Sequence, residues 1–185
     1  MIKLVTLSKK YKKQLFEMMD EWTNANEVII PYILDKIDYH YFDIFLSRIE
    51  EIEQARVKVP SKIYFCLDDE RNIFVGAVVI RLTLSNDLLQ RGGHISDGIR
   101  PSERNKGYGT KLVSLAIKKC NELGINEVLM VCDKNNIYSS KTILKNNGKL
   151  ENEIQIENKV IQRYWIKQGV KNDKKNDEKI CPSSC

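Results

Sequence analysis

Apolar and polar residues alternate along "MIKLVTL", the period of a short strand, and the period then lengthens. Leu15, Met18, Met19 and Trp22 fall at i, i+3, i+4 and i+7, which predicts an amphipathic helix with Ser8 as its cap. Pro31 interrupts the chain. A second helix is expected from about Asp38, with Phe42, Phe45, Leu46, Ile49 and Ile52 on one face and "VPSK" as its end. "KIYFCLD" and "IFVGAVVIRLTL" are rich in β-branched and aromatic residues, and "DERN" between them predicts a hairpin. "GGHISDGIR" reads as a further strand. Helical spacing returns at Leu112, Leu115, Ala116, Cys120 and Leu123, and Gly124 stops it. "EVLMVCD" predicts a short buried strand, "NNIYSSKTILKNNG" a helix of about three turns capped by asparagine, and "KVIQRYWIK" a closing strand. The order predicts an α+β or mixed α/β domain in three layers, with no internal repeat.

Composition narrows the function classes. With 185 residues, 42% of them apolar and 30% charged, the chain suits one globular domain with its own core. No run reaches the roughly 18 apolar residues of a membrane span, and the N-terminus lacks signal-peptide features, so a cytoplasmic location without membrane association is expected. Five cysteines is an odd number, and Cys66, Cys120 and Cys132 lie in apolar runs, which fits reduced thiols. The net charge of +5 arises from 30 basic and 25 acidic residues mixed along the chain, a pattern without a nucleic-acid stripe but tolerant of an anionic ligand.

The candidate chemistry lies in "IRPSERNKGYGTKL", residues 99 to 112, where a strand passes through two glycines and several cations into a helix. The first turn of a helix presents unpaired amides and partial positive charge, and glycine lets a phosphate approach the backbone. A dinucleotide fingerprint fails because Leu112 stands where the third glycine belongs. A P-loop fails because Gly109-Thr110-Lys111 lacks its order.

What remains is Arg104-x-x-Gly107-x-Gly109, and with its context this resembles the GNAT superfamily of acetyl-CoA-dependent N-acyltransferases. "GGHISDGIRPSERNKGYGTKL" is similar to the strand, loop and helix of that motif, "GINEVLMVCDKNNIYSSKTILKNNGKLENE" to the following strand, helix and strand, and "RYWI" to the last strand. The resemblance covers roughly residues 62 to 166 and lies nearest a branch described only as predicted acetyltransferases. It implies a mostly antiparallel, splayed central sheet flanked by helices, one domain over residues 1–167, and acetyl-CoA as acyl donor without a metal. The tail from 168 to 185 has too few apolar residues to pack and is expected to be mobile.

By the resemblance, the backbone from Asn105 through Lys106, Gly107, Tyr108 and Gly109 to Thr110 holds the coenzyme pyrophosphate, with charge from Arg104 and Lys106. Ile99 and Arg100 pair by backbone with the pantetheine arm. Asn136 matches the asparagine that opens the next helix and faces that arm, and Ser139 the small position three residues later. The family tyrosine that protonates the leaving thiolate is replaced by Ile143. Tyr138 could substitute or simply pack. A thiol of pKa about 8.5 leaves more easily than an alkoxide, so the acid matters less here.

The implied reaction is direct attack of an amine on the thioester in a ternary complex, and an amine of pKa about 10.4 must first lose a proton. Asp97 and His94 are the candidate bases. They stand on opposite faces of one strand, and only one face can meet the acceptor. Asp97 between two isoleucines is costly unless paired or in a cleft, so it is either the base or the partner of a backbone amide. For His94 a satisfied structural histidine is the plainer reading. Cys132 fits core packing better than an acyl-enzyme, because no histidine nearby in sequence lowers its pKa. "CPSSC" lacks the further ligands of a metal site. Trp22, Tyr32, Tyr39 and Phe42 read as core alone or, because their region forms the acceptor side in the superfamily, as in part a lining of the pocket. The acceptor is a small amine or a peptide, a homodimer is compatible with the sequence, and a non-catalytic acyl-CoA-binding module remains the alternative.

Overall fold

The computed structural model describes residues 1–54 and 59–167. In chain order the elements are β1 (Ile2–Val5), α1 (Lys12–Asn24), a single turn α2 (Tyr32–Asp35), α3 (Phe42–Glu53), β2 (Ser61–Asp68), β3 (Ile73–Arg81), α4 (Asn86–Arg91), β4 (Ile95–Ile99), α5 (Tyr108–Glu122), β5 (Glu127–Asp133), α6 (Ile137–Lys145), β6 (Lys149–Ile156) and β7 (Lys159–Lys167). The expected tail, with Cys181 and Cys185, lies outside the described residues.

The strands form two antiparallel sheets in the orders β1-β2-β3-β4 and β5-β7-β6. Helices α1 to α3 cover one face of the first sheet through Ile63, Phe65, Ala77 and Val79. Val75, Val78, Ile80 and Ile95 meet α5 and β5 on the other face. Because β2 and β3 are buried on both faces, they read as nearly continuous apolar runs instead of alternating ones. The result is the three-layer arrangement that the element order predicts.

Among the described residues, backbone hydrogen bonding between the sheets is confined to one junction. The His94 amide donates to the Leu129 carbonyl at 2.8 Å, and the Leu129 amide donates to His94 Nδ1 at 2.9 Å. A Cβ on Gly93, which has φ +67°, would lie 2.6 Å from the Leu129 oxygen, so this close approach requires glycine. Beyond this junction no hydrogen bond joins β4 to β5 among the described residues, and the two strands part. His94 is therefore a fastener, with its ring accepting at Nδ1. Burial, aided by the charge of Arg81, lowers its pKa and favours the neutral ring.

Three local expectations change. Ser8 precedes a 3-10 turn, Lys9–Tyr11, and its hydroxyl is buried without a partner among the described residues, so α1 begins at Lys12. The second long helix starts at Phe42, because the Asp38 carboxylate accepts from the His40 amide at 3.0 Å and holds a non-helical turn. Helix α4 occupies a segment whose leucines are only half-buried, so no apolar stripe announces it. Its signal is Ser85, whose hydroxyl accepts from the Leu88 amide at 3.3 Å.

Candidate active site

The parting of β4 from β5 opens a cleft of about 650 Å³ that runs from Trp22, Ile30 and Asp97 past the glycine loop to α6. Backbone direction on β4 follows from its pairing. Arg81 donates to the His94 carbonyl, and the Arg100 amide donates to Val75 at 3.0 Å, so by alternation Ser96 and Gly98 between them turn their backbone groups to β3. Those of Ile95, Asp97 and Ile99 turn toward the opening.

The loop itself is shaped by positive φ at Asn105 (61°) and Gly107 (81°), which bring the chain sharply into α5. From Asn105 to Thr110, six consecutive amides have no acceptor among the described residues. A Cβ on Gly107 would have nothing within 4 Å, and one on Gly109 would make only ordinary contacts, 3.8 Å from Ile99 and Thr142. The rim is thus open to a ligand and rich in donors at a helix N-terminus, which is where an anion is favoured.

The expected cofactor residues divide into two groups. Ile99, Arg104, Asn105, Gly107, Gly109, Thr110, Asn136 and Ser139 line the cleft. Arg100, Lys106 and Tyr108 point elsewhere. Arg100 cannot pair with a pantetheine arm as expected, because its amide serves Val75, its carbonyl accepts from Glu103, and its guanidinium binds Glu21. Glu21 also accepts from the Ser102 amide. Although burial disfavours its charge, that amide and Arg100 together hold the carboxyl below its ordinary range. Lys106 is paired with Glu103 at 3.3 Å. The Tyr108 hydroxyl donates to Asp68 at 3.1 Å and accepts from Arg71 at 2.9 Å.

Arg104 lines the cleft but is already engaged. Its guanidinium forms a two-point pair with Glu27 at 3.0 and 2.6 Å, and its Nε donates to the Ile99 carbonyl at 3.1 Å. Asn136 caps α6 by accepting from the Ser139 amide at 3.1 Å, which leaves its amide NH₂ free to donate.

Among the catalytic candidates, Asp97 lines the cleft and shares the α5 face of β4 with Ile95 and Ile99. Its carboxylate has no hydrogen-bond partner among the described residues, and burial raises its pKa to about 6. Tyr138 lies on the cleft rim, 68% exposed, whereas Ile143 on the same helix is fully buried against α5. Of the four aromatic residues proposed for the acceptor side, Trp22 lines the cleft, Tyr39 and Phe42 are core, and Tyr32 is exposed on α2. Cys132 is buried, which raises its thiol pKa despite a hydrogen bond with Ser139, and burial pushes Cys66 and Cys120 up to about 12.

Two supporting residues gave no functional signal in sequence. Arg71, in the hairpin turn, binds buried Glu103 directly beneath the loop. Asn146 donates to the carbonyls of Thr110 (3.2 Å) and Thr142 (2.9 Å) and ties α6 to the first turn of α5.

Comparison with known proteins agrees with the fold. The microcin self-immunity acetyltransferase MccE, in complex with acetyl-CoA and AMP, superposes with a TM-score of 0.65 at 16% identity over 90% of this chain and 92% of that one. Mutant forms of the spermidine/spermine N-acetyltransferase SpeG from Vibrio cholerae give 0.60 at 15% identity, over 90% and 94%. The acetyl transferase from Salmonella typhimurium that modifies the N-terminal serine of a 50S ribosomal subunit protein gives 0.62 at 12% identity, over 91% and 95%. At these identities the likeness is one of fold. Among curated proteins none matches by sequence. Residues 17–148 match the Acetyltransferase (GNAT) family, and the chain belongs to that family.

Proposed function

We propose that this chain transfers an acetyl group from acetyl-CoA to a primary amine by direct attack within a ternary complex. The observation that carries the reading is the run of six amides around Gly107 and Gly109 without acceptors among the described residues, four of them on residues that line a cleft between parted strands. Such a rim suits a pyrophosphate, and the cleft-facing backbone groups of Asp97 and Ile99 suit an extended amide chain that adds to β4 as a strand would. Bound there, acetyl-CoA supplies an electrophilic carbonyl and a weakly basic sulfur leaving group.

The protein must then take a proton from the amine. Asp97 is fitted to that role, since at pH 7 a carboxyl with a pKa of about 6 is mostly ionised yet more basic than an ordinary aspartate. Its proton exchange with the acceptor runs through the opening between β4 and β5. Tyr138 is the hydroxyl on the rim available to protonate the departing sulfur. Cys132 has its thiol pKa raised, so an acyl-cysteine route is disfavoured. Two fold neighbours act on acceptors of this kind, spermidine for one and an N-terminal serine for the other. Thiol release from acetyl-CoA measured against a panel of polyamines, aminosugars and peptides tests the reading. Release that depends on one amine, with its acetylated product found by mass spectrometry, supports it; no amine-dependent release across the panel counts against it.

A further inference from the structure

The outer face of α1 and the turn before it is charged in blocks. Lys9, Lys10, Lys12 and Lys13 are all exposed, and with half-buried Phe16 and then Glu17 and Asp20 they line an open groove of about 510 Å³. Cations are favoured at the C-terminal end of a helix, yet these four crowd the positive end of α1, and no acid stands in its first turn. Their charge is little compensated. Lys13 has Glu17 at 3.7 Å, whereas Lys9, Lys10 and Lys12 have no carboxylate within ion-pair distance among the described residues. Lys12 instead lies over the rings of Phe16 and Phe42, at 5.5 and 5.6 Å. The cluster opposes the helix dipole, and an anionic partner removes that opposition.

We infer that this groove docks the acidic segment of a protein acceptor, a stretch of Asp or Glu residues that follows the N-terminal amine to be acetylated. The inference rests on the acetyl-transfer reading above and names its acceptor class. The two sites are neighbours on one helix: the groove ends at Asp20, and Trp22, two residues further along α1, lines the cleft. About 15 Å of helix separates Lys12 from Trp22, a distance that about five residues of extended chain span. The order of charge matches as well. A peptide lying along α1 with its ammonium group toward the cleft meets Asp20 and Glu17 first, Phe16 next and the lysines last. Its acidic residues therefore belong about five to nine positions from the amine. A nucleic-acid strand or an anionic bilayer carries negative charge without interruption and would set it against Glu17 and Asp20 too.

Peptides with free N-termini and a set of different first residues, made in pairs that carry either Glu or Gln at about positions six to nine, test this on the full chain. Fluorescence anisotropy gives Kd, and thiol release from acetyl-CoA gives kcat and KM. The Glu peptides are expected to bind roughly tenfold more tightly at low salt, with KM lowered by a similar factor and kcat unchanged, a size set by a few exposed charge contacts. In Lys9→Gln/Lys10→Gln/Lys12→Gln the members of a pair become equivalent, and the variant melts no lower than the wild type because repulsion at the helix end is relieved. In Lys9→Glu/Lys12→Glu the preference inverts. A preference that survives the triple substitution overturns the docking site. Equal binding of both peptides by the wild type overturns it too, even where RNA or anionic vesicles bind the lysines. Tighter binding of the Glu peptides with none of them acetylated overturns their assignment to the acceptor. Thiol release with small amines but without peptide discrimination retains acetyl transfer and loses the groove, whereas no thiol release with any amine overturns acetyl transfer itself.

Discussion

Arg71 and Glu103, 32 residues apart, form a two-point ion pair at 3.0 and 2.9 Å beneath the glycine loop, and Glu103 is only 5% exposed. The same guanidinium holds Asp68 at 2.8 Å and the Tyr108 hydroxyl. Both carboxyls are held below their ordinary range, chiefly by Arg71 and against the cost of burial. The hairpin turn thereby fixes the two residues that bracket Arg104 to Gly107.

Arg71→Ala leaves Glu103 buried with only Lys106 as counterion, so it should cost about 3 kcal/mol of stability and raise Kd for acetyl-CoA about tenfold. Thermal melting and calorimetry read the two effects. Glu103→Gln keeps neutral hydrogen bonds and should lie between the variant and the wild type. Acetyl-CoA affinity unchanged in Arg71→Ala would show that the pair does not position the loop.

The two glycines should respond differently. A Cβ at Gly109 meets only ordinary contacts in the free protein, so Gly109→Val should lower the melting temperature less than Gly107→Val does and lose acetyl-CoA binding. At Gly107, φ +81° makes any side chain strained, and Gly107→Val should lose stability as well. Retained affinity in Gly109→Val would place the ligand elsewhere.

Much of this was legible in sequence for physical reasons. Glycine spacing between a strand and a helix marks a loop suited to an anion, whereas Asn136 and Ser139 follow only from the family resemblance. Side-chain pairing across the fold leaves no local pattern, and this is where the reading fell short. Arg100 belonged to the expected strand end, yet its backbone pairs with Val75 and its charge with Glu21. Arg71 sat in a polar turn that any hairpin would carry. Tyr138 and Ile143 share one short helix, and only the packing shows that the isoleucine faces the core while the tyrosine meets solvent. Helix α4 leaves no apolar stripe because it buries little, and between the core and pocket readings of the aromatic set only packing decides, placing Tyr39 and Phe42 in the core.

Asp97 gives a prediction with opposite signs for activity and stability. If it is the base, Asp97→Asn should cut turnover roughly a hundredfold and remove the rise of rate with pH through about 6. Its folded pKa is raised, so between about 4 and 6 the native state holds more protons than the unfolded chain, and Asp97 costs stability as pH rises through that window. Asp97→Asn should therefore raise the melting temperature at pH 8, with the gain shrinking toward pH 4. A lower melting temperature at pH 8 with turnover per folded molecule retained would make Asp97 structural.

Glu27 neutralises Arg104 before any ligand arrives, and Arg104 holds its carboxyl below the ordinary range. Glu27→Gln should free the guanidinium for phosphate and lower Kd for acetyl-CoA about threefold. The gain should fade in high salt. Weaker binding in this variant would show instead that the pair holds Arg104 in its binding position.

Direct transfer requires both substrates in the cleft together, where an amine held against the thioester reacts at high effective concentration. Initial rates measured at several fixed concentrations of an accepted amine, against varied acetyl-CoA, test this most directly. Direct transfer predicts double-reciprocal lines that intersect, with no acetyl group on the protein after mixing with acetyl-CoA alone. Parallel lines, together with a protein-bound acetyl group that disappears in Cys132→Ala, would contradict it.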